Sequence, residues 1–233
     1  TMLPYPDEEA RSVVVTRGGS TLTVSSTPVT LRTSTEGEAA VASIDPSTYV
    51  AAWSDGTTLY GRWLNAQGTS PRACTLFDLG DCIPRDLGNM DYPFETVVAR
   101  VDADRAVVAW RMGDAVQGPD VVSLSTLTRG NTIFHPATPM TVTQTPDRRA
   151  YFGAAHVGGG EMLVAAINTT NNRLQLFRAN PFYDARCGPN LTVDATSADV
   201  GHIAVAASGT RAIIAWRAGG DAVANPNTVR FVL

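Results

Sequence analysis

The sequence predicts an all-β fold built from small antiparallel sheets that repeat along the chain. Three observations support this prediction. No segment keeps a 3.6-residue apolar period, and turn-forming residues interrupt the chain roughly every 8 to 12 positions. One twelve-residue pattern occurs four times, and a segment near the N-terminus resembles a strand inside one of the repeats.

The repeated pattern has a small apolar start, a turn cluster and then a four-residue apolar run. Its copies, which align without gaps, are ASIDPSTYVAAW (42–53), ARVDADRAVVAW (99–110), AHVGGGEMLVAA (155–166) and VAASGTRAIIAW (205–216). They end on anchor residues that lie 57, 56 and 50 residues apart, namely Trp53, Trp110, Ala166 and Trp216. A period of this length is typical of propeller blades and kelch-like units.

Each copy reads as two antiparallel strands joined by a tight turn, with further strands following it. Small residues such as Ala51, Ala109 and Ala215 suit the crowded end of a sheet that converges on an axis. A tryptophan at a fixed place in each unit can fill the wedge between neighbouring sheets, where it buries on the order of 150–250 Å². We therefore expect the anchors to be packing residues.

The N-terminal region supplies a strand that the last unit lacks. STLTVSSTPVTLRT (20–33) resembles NTIFHPATPMTVTQ (131–144) position by position, and the fourth unit is one strand short. Pairing strands from the two ends of the domain would close a ring and leave no open sheet edge. We expect such a closure; a β-sandwich of about fourteen short strands is the structural alternative.

On these segments the chain resembles β-propeller repeat proteins, over nearly its whole length and at the level of architecture only. The resemblance implies one domain, 1–233, folded as a small propeller with four blades of about 50–57 residues. It divides the chain into an N-terminal extension (1–10), outer strand(s) closing the last blade (11–35) and blades at 36–92, 93–148, 149–198 and 199–233.

Composition excludes several classes of function. The chain is 44% hydrophobic and 17% charged, as globular proteins are. Its net charge of −4 gives no reason to expect binding to nucleic acid. No apolar run approaches the roughly 18 residues that span a bilayer, so we expect no membrane insertion. All 18 basic residues are arginine, which excludes lysine chemistry such as Schiff-base formation.

Cysteines and sequons favour an oxidising compartment. Cys74 and Cys82 bracket seven residues and are predicted to form a local disulfide; two free buried thiols are the alternative. Cys187 is then an odd thiol. Two glycosylation sequons begin at Asn168 and Asn190. Together these features predict a secreted or cell-surface glycoprotein. The three histidines are scattered, so we expect neither a metal site nor a cofactor.

The turns just past the anchors are the best candidates for ligand binding, because they are equivalent loops on one face of the ring. The candidate residues in these turns are Arg111, Asp114, Arg217 and Asp221. Trp63, the tryptophan that lies outside the anchor positions, is added to them. Lectin propellers use blade-repeated pockets of this kind. The alternatives are hairpin turns with solvated charges and, for Trp63, packing of an outer strand.

Catalytic signatures are sparse. Asp45, Asp102 and Glu161 fall in or beside the turns between first and second strands, yet they do not recur in the fourth unit. No G-x-S-x-G elbow occurs. The sequence therefore predicts that the chain is not an enzyme, and a glycoside hydrolase with an axial carboxylate cluster is a remote alternative.

These observations lead to two functional hypotheses. The first is a non-catalytic, secreted or cell-surface module that is a structural or protein-interaction part of an extracellular assembly, with other protein subunits as partners. The second is a lectin that binds extracellular glycans at sites repeated between blades.

Overall fold

The structure is a computed structural model, and every regular element that it describes is a β-strand. The all-β prediction is therefore confirmed. Among the described residues no helix is long and apolar enough to cross a membrane. The described residues are 9–13, 15–18, 20–24, 28–33, 39–54, 58–69, 85–89, 93–112, 120–129, 140–145, 151–168, 173–183, 185–187, 191–195, 199–219 and 228–232.

The first four strands form two nested antiparallel ladders near the N-terminus. Their bounds are β1 (Glu9–Ser12), β2 (Val15–Gly18), β3 (Thr21–Val24) and β4 (Val29–Thr33). β2 pairs with β3, and β1 pairs with β4 around them. We call these four strands the N-terminal hairpin.

Sheet 1 follows as a meander in which each strand pairs with the next. Its strands are β5 (Ala40–Asp45), β6 (Thr48–Ser54), β7 (Thr58–Asn65) and β8 (Arg85–Asn89). The β5–β6 turn is held by the Asp45 carboxylate, which accepts hydrogen bonds from the Ser47 backbone N–H at 2.8 Å and from its hydroxyl at 2.9 Å. An Asp at this place stabilises a tight turn without help from a glycine.

Sheet 2 repeats the same order of strands. They are β9 (Pro93–Arg100), β10 (Arg105–Met112), β11 (Asp120–Thr128) and β12 (Met140–Thr145). The β9–β10 turn again uses a carboxylate: Asp102 accepts a hydrogen bond from the Asp104 backbone N–H at 3.0 Å. In both turns the carboxylate accepts a hydrogen bond from a backbone N–H two residues further on, which explains why an Asp stands at the equivalent place in each unit.

Sheet 3 has five strands because two short strands share one edge of its third strand. The strands are β13 (Phe152–Gly158), β14 (Glu161–Asn168), β15 (Arg173–Asn180), β16 (Ala185–Arg186) and β17 (Leu191–Ala195). Both β16 and β17 pair with β15. The β13–β14 turn is formed by glycines at 158, 159 and 160, with φ of 99°, 60° and 79°, a conformation that other residues adopt only with strain.

Sheet 4 has three described strands, in the order β18-β19-β20. They are β18 (Asp199–Ser208), β19 (Arg211–Gly219) and β20 (Thr228–Val232). The first strands of sheets 1 to 4 contact one another in sequence order, β5 with β9, β9 with β13 and β13 with β18. The four sheets therefore stand side by side in sequence order, which is a propeller-like arrangement.

Neighbouring sheets pack face to face, and each anchor faces the sheet that precedes its own. Trp110 is fully buried in a cluster with Val50 and Trp63 of sheet 1. Ala166 lies in the cluster that joins sheets 2 and 3, and Trp216 lies in the cluster that joins sheets 3 and 4. Side chains alternate along a strand, so the residue before each anchor faces the following sheet.

The predicted pairing of an N-terminal strand with the last sheet is corrected by the described strands. β4 pairs with β1 instead. Leu31 of β4 packs against the cluster of Ala51, Trp53 and Leu64 in sheet 1, and the Ser12 hydroxyl donates a hydrogen bond to the Gly68 carbonyl at 2.8 Å. The hairpin thus contacts the side of sheet 1 that carries Trp53, where Leu31 adds to the apolar surroundings of the indole.

Candidate functional site

The most distinctive surface is one face of sheet 4. Burial alternates along β18 and β19: Ile214 and Trp216 are buried against sheet 3, whereas the residues between them point the other way. Direct cross-strand pairs place Ala206 opposite Ile213 and Ser208 opposite Arg211. We call this side, with its residues Ala204, Ala206, Ser208, Arg211 and Ile213, the open face of sheet 4.

Equivalent positions in the other sheets are covered. Ile213 stands three residues before its anchor, as do Val50, Val107 and Leu163. Val50 and Val107 are fully buried against the following sheet, and Leu163 packs in the cluster between sheets 3 and 4. Ile213 is 40% exposed. Among the described residues, then, the same position is fully buried in sheets 1 and 2, partly buried in sheet 3 and exposed in sheet 4.

The open face borders a depression of about 680 Å³ near the β18–β19 turn. Ala206, Ser208, Arg211 and Ile213 of the open face line it, together with Ala207, Thr210 and Ala212. A contiguous apolar depression with a charged edge is typical of a surface that contacts another macromolecule.

A second cavity lies between sheets 3 and 4. It has a volume of about 660 Å³ and an apolar wall that includes Leu163, Leu176 and Ile214. Glu161 and Arg178 also line it and form an ion pair through Arg178 Nη2 and Glu161 Oε2. The hydrogen bond from Arg178 lowers the pKa of Glu161, and the same pair raises the pKa of Arg178. Both groups are therefore charged at neutral pH.

Cys187 lies next to this ion pair. It is a free, half-buried thiol, and its backbone N–H donates a hydrogen bond to the Arg178 carbonyl at 2.7 Å. Burial raises the pKa of the Cys187 thiol, and the negative charge of Glu161 raises it further. A thiol with a raised pKa is a poor nucleophile at neutral pH.

A third cavity, of about 400 Å³, lies where the first strands of sheets 2, 3 and 4 meet. It is lined by 98–101, 154–156 and by Val205, Ala207 and Gly209. Among the described strands, each of these pairs on one side only, with the second strand of its own sheet. Burial lowers the pKa of His156 here, against the opposing effect of the Asp102 carboxylate.

The predicted ligand-binding residues are not gathered at these cavities. The Arg111 side chain is buried between sheets 2 and 3, where its Nε lies 3.7 Å from Glu95 Oε2. Trp63 is buried between sheets 1 and 2. Arg217 lies in β19, opposite Val229 of β20. Asp114 and Asp221 lie outside the described residues.

The carboxylates considered for catalysis are each bound within their own sheet. Asp45 is held by Ser47, Asp102 by Arg105 and Glu161 by Arg178, and these hydrogen bonds lower the pKa of all three acids. A general acid of a glycosidase needs a raised pKa instead. Within the described part of the chain, no three His, Cys, Asp or Glu side chains converge in a way that could hold a metal ion.

The predicted modification sites remain predictions. Cys74, Cys82 and Asn190 lie outside the described residues, and Asn168 is the last residue of β14. No local sequence pattern distinguishes the open face of sheet 4, because its apolar run AIIAW resembles the corresponding runs of the other units.

Comparison with known proteins finds a structural likeness and no family. No family model matches the chain, and no curated protein matches it. A solved structure with which it shares similarity is the GH43 Endo-Arabinanase from Bacillus licheniformis, at 8% sequence identity and a TM-score of 0.47, over 85% of this chain and 70% of that chain.

This match contradicts the prediction that the chain is not an enzyme, because the matched protein is one, and that prediction is withdrawn. At this identity and TM-score the match transfers no activity and no residue's role to the present chain.

Proposed function

We propose that this protein is a propeller-like interaction module, with sheets 1 to 4 as its blades, and that it binds another protein through the open face of sheet 4. One observation carries the proposal: Ile213 is exposed at a position whose counterparts Val50 and Val107 are fully buried. Burying a fully exposed isoleucine side chain is worth about 1.5–3 kcal/mol, and covering the exposed 40% of Ile213 gains part of that free energy.

The chemistry of the face indicates a partner surface of the same kind as a blade. Ala204 and Ala206 lie flush with the sheet and accept larger side chains from opposite, as neighbouring sheets interdigitate elsewhere in the molecule. Arg211 at the edge of the depression adds a charge that a carboxylate on the partner can meet.

The test compares two arginine substitutions. Ile213→Arg places a charge on the open face, and Leu191→Arg is the matched control, since Leu191 is an aliphatic residue on β17 that is exposed outside this face. Proteins from the native source that bind wild type and Leu191→Arg but not Ile213→Arg support the proposal. Identical binding to wild type and to both variants, each variant with an unchanged circular dichroism spectrum, contradicts it.

The cavity between sheets 3 and 4 favours carbohydrate binding as a second candidate function. Glu161 and Arg178 together offer acceptors and donors of opposite charge, which suits the hydroxyl groups of a neutral sugar. Leu163 and Leu176 provide an apolar wall for its C–H groups.

Calorimetric titration with a panel of neutral oligosaccharides tests this second function. Glu161→Gln should weaken binding of any sugar that wild type binds. Asp102→Asn, which alters the Asp102–Arg105 pair of sheet 2, should leave that binding unchanged. Absence of binding to wild type, or equal loss in both variants, would remove the cavity as a sugar site.

A further inference from the structure

We infer that the open face of sheet 4 binds the first strand of sheet 1, β5, of a second copy of this chain. The inference rests on the proposed function of the open face and names its partner. It starts from a second uncovered surface, on the first sheet of the row. Val41 of β5 is 66% exposed, and Ser43 is exposed on the same side of the strand. We call this side of β5, with Val41 and Ser43, the β5 face.

The position of Val41 belongs to an interface in the other three sheets. Val41 lies opposite Ala51, which is two residues before the anchor Trp53. The residues that lie opposite the same position in sheets 2, 3 and 4 all pack in the cluster shared with the preceding sheet; they are Val98, Ala154 and Val205. Val41 is therefore uncovered where its counterparts contact the preceding sheet, as Ile213 is uncovered where its counterparts contact the following one.

The three interfaces within the chain combine a valine with a small residue at this level. The residues opposite the position directly before each anchor face the following sheet; they are Ala40, Val97, Gly153 and Ala204. The combinations from sheet 1 to sheet 4 are Ala40 with Val98, Val97 with Ala154 and Gly153 with Val205.

The last of these combinations is a direct contact. A Cβ atom added to Gly153 would lie only 3.0 Å from Val205 Cγ2, so the small residue makes room for the valine. On the open face the corresponding residue is Ala204, and on the β5 face it is Val41. The two uncovered surfaces therefore offer the same combination of one small residue and one valine, as interdigitating sheets require.

The strand order of the known interfaces also selects β5. The first strand of a sheet contacts the first two strands of the preceding sheet, as β9 does with β5 and β6, and as β18 does with β13 and β14. A β5 strand that lies on β18 and β19 of another copy would repeat this arrangement. The contacts of Leu31 and Ser12 from the N-terminal hairpin are made with residues of β6 and β7 and with Gly68, and these residues lie outside β5.

A second copy supplies the contact without any change of fold. Val41 and Ile213 are both exposed in the same structure, so the two surfaces do not cover each other within one chain. Bringing them together within one chain would shift the three packed interfaces between sheets. The two surfaces differ, so the contact is heterologous: two copies make it twice and close a pair, or copies that make it once each form a longer row.

Sedimentation velocity over a concentration series tests the inference with two variants and a control. Wild type and Leu191→Arg should sediment as assemblies of at least twice the mass of the chain. Val41→Arg, which charges the β5 face, and Ile213→Arg, which charges the open face, should each shift the mass to that of one chain. All three substituted residues are exposed, so the variants should keep the wild-type circular dichroism spectrum.

An equimolar mixture of the two charged variants gives the decisive result. Ile213→Arg keeps an intact β5 face and Val41→Arg keeps an intact open face, so the mixture should form a pair of chains through the one remaining contact. Wild type at the mass of a single chain at its highest soluble concentration would overturn the inference. A mixture that stays monomeric while wild type assembles would overturn it as well.

The outcomes separate this inference from the proposed function. A monomeric wild type whose binding of a different protein is lost in Ile213→Arg overturns the second copy as partner and leaves the open face as a binding surface. A monomeric wild type whose Tm falls in both Val41→Arg and Ile213→Arg, but not in Leu191→Arg, also overturns it, because the two surfaces then meet within one chain. Assembly that Ile213→Arg abolishes and Val41→Arg leaves unchanged overturns the β5 face alone.

Discussion

Arg111 Nε lies 3.7 Å from Glu95 Oε2, and the two side chains are only 10% and 20% exposed. The same carboxylate accepts a hydrogen bond from the backbone N–H of Phe152 at 3.3 Å. Glu95 therefore joins an arginine of its own sheet to the first strand of the next one. An arginine that sequence patterns place among ligand-binding residues is thus part of the packing between sheets 2 and 3.

Glu95→Gln should lower the free energy of unfolding by about 2–4 kcal/mol, because it removes the negative charge beside the buried guanidinium of Arg111. Urea denaturation followed by tryptophan fluorescence measures the change. Asp102→Asn is the control: its pair with Arg105 is more than 40% exposed on both sides, and exposed pairs contribute at most about 1 kcal/mol. Equal losses in the two variants would contradict the structural role of Glu95.

Trp110→Ala should be among the most destabilising single substitutions, by about 3–5 kcal/mol, since Trp110 is fully buried between sheets 1 and 2. At the equivalent place in sheet 3, Ala166→Trp should also destabilise, because Ala166 is almost fully buried and leaves no space for an indole. Thermal unfolding measures both. An Ala166→Trp variant as stable as wild type would contradict this prediction, because it would show that the space at Ala166 accepts an indole as the other anchor positions do.

Stability should fall as the pH drops below about 6.5, the ordinary pKa of histidine. Burial lowers the pKa of His156 in the folded protein, so the unfolded chain binds a proton more readily in the interval between the lowered pKa and 6.5. Protonation therefore favours unfolding, and the stability present above pH 6.5 is lost as the pH falls through this interval.

His156→Gln should remove this part of the pH dependence. Denaturation curves at a series of pH values measure it, with His202→Gln as a control for a general histidine effect. A wild-type profile that the His156→Gln variant reproduces over the same interval would contradict the assignment.

Cys187 should react slowly with iodoacetamide at pH 8, because burial and the Glu161 carboxylate raise the pKa of its thiol. Glu161→Gln removes one of these causes and should speed the reaction by lowering that pKa. Mass spectrometry of the Cys187 peptide separates its rate from those of Cys74 and Cys82. Asp102→Asn should leave the rate unchanged, and a faster reaction in that variant would point to a general loosening of the fold.

Much of the architecture could be predicted from local pattern. Three features depend only on residues that are close together in the chain, so the sequence shows them directly. They are the alternation of apolar residues, the turns at Asp45 and Asp102, and the pattern inside each of the four repeats. The partner of the N-terminal strand could not be predicted in this way. The resemblance of 20–33 to 131–144 indicates that both are edge strands, but it does not state which edge each one meets.

The sequence predicted less of the candidate site than of the fold. Arg111 and Trp63 are polar or amphipathic residues of a kind that often binds ligands, and their burial is decided by sheets distant in sequence. No local sequence pattern marks Glu95, because its structural role depends on a hydrogen bond from the backbone of Phe152, 57 positions away.

By itself, then, the sequence determined that this protein is all-β, that it is built from four related units, and which residues turn the chain between strands. Only the tertiary structure decided which faces of those units are covered. The reason is physical. Val50, Val107 and Ile213 are apolar side chains at one repeated position, and side chains alternate along a strand, so the sequence determines which of them share a face. Whether that face is buried or exposed depends on a neighbouring sheet. Such a sheet covers Val50 and Val107, whereas Ile213 is 40% exposed.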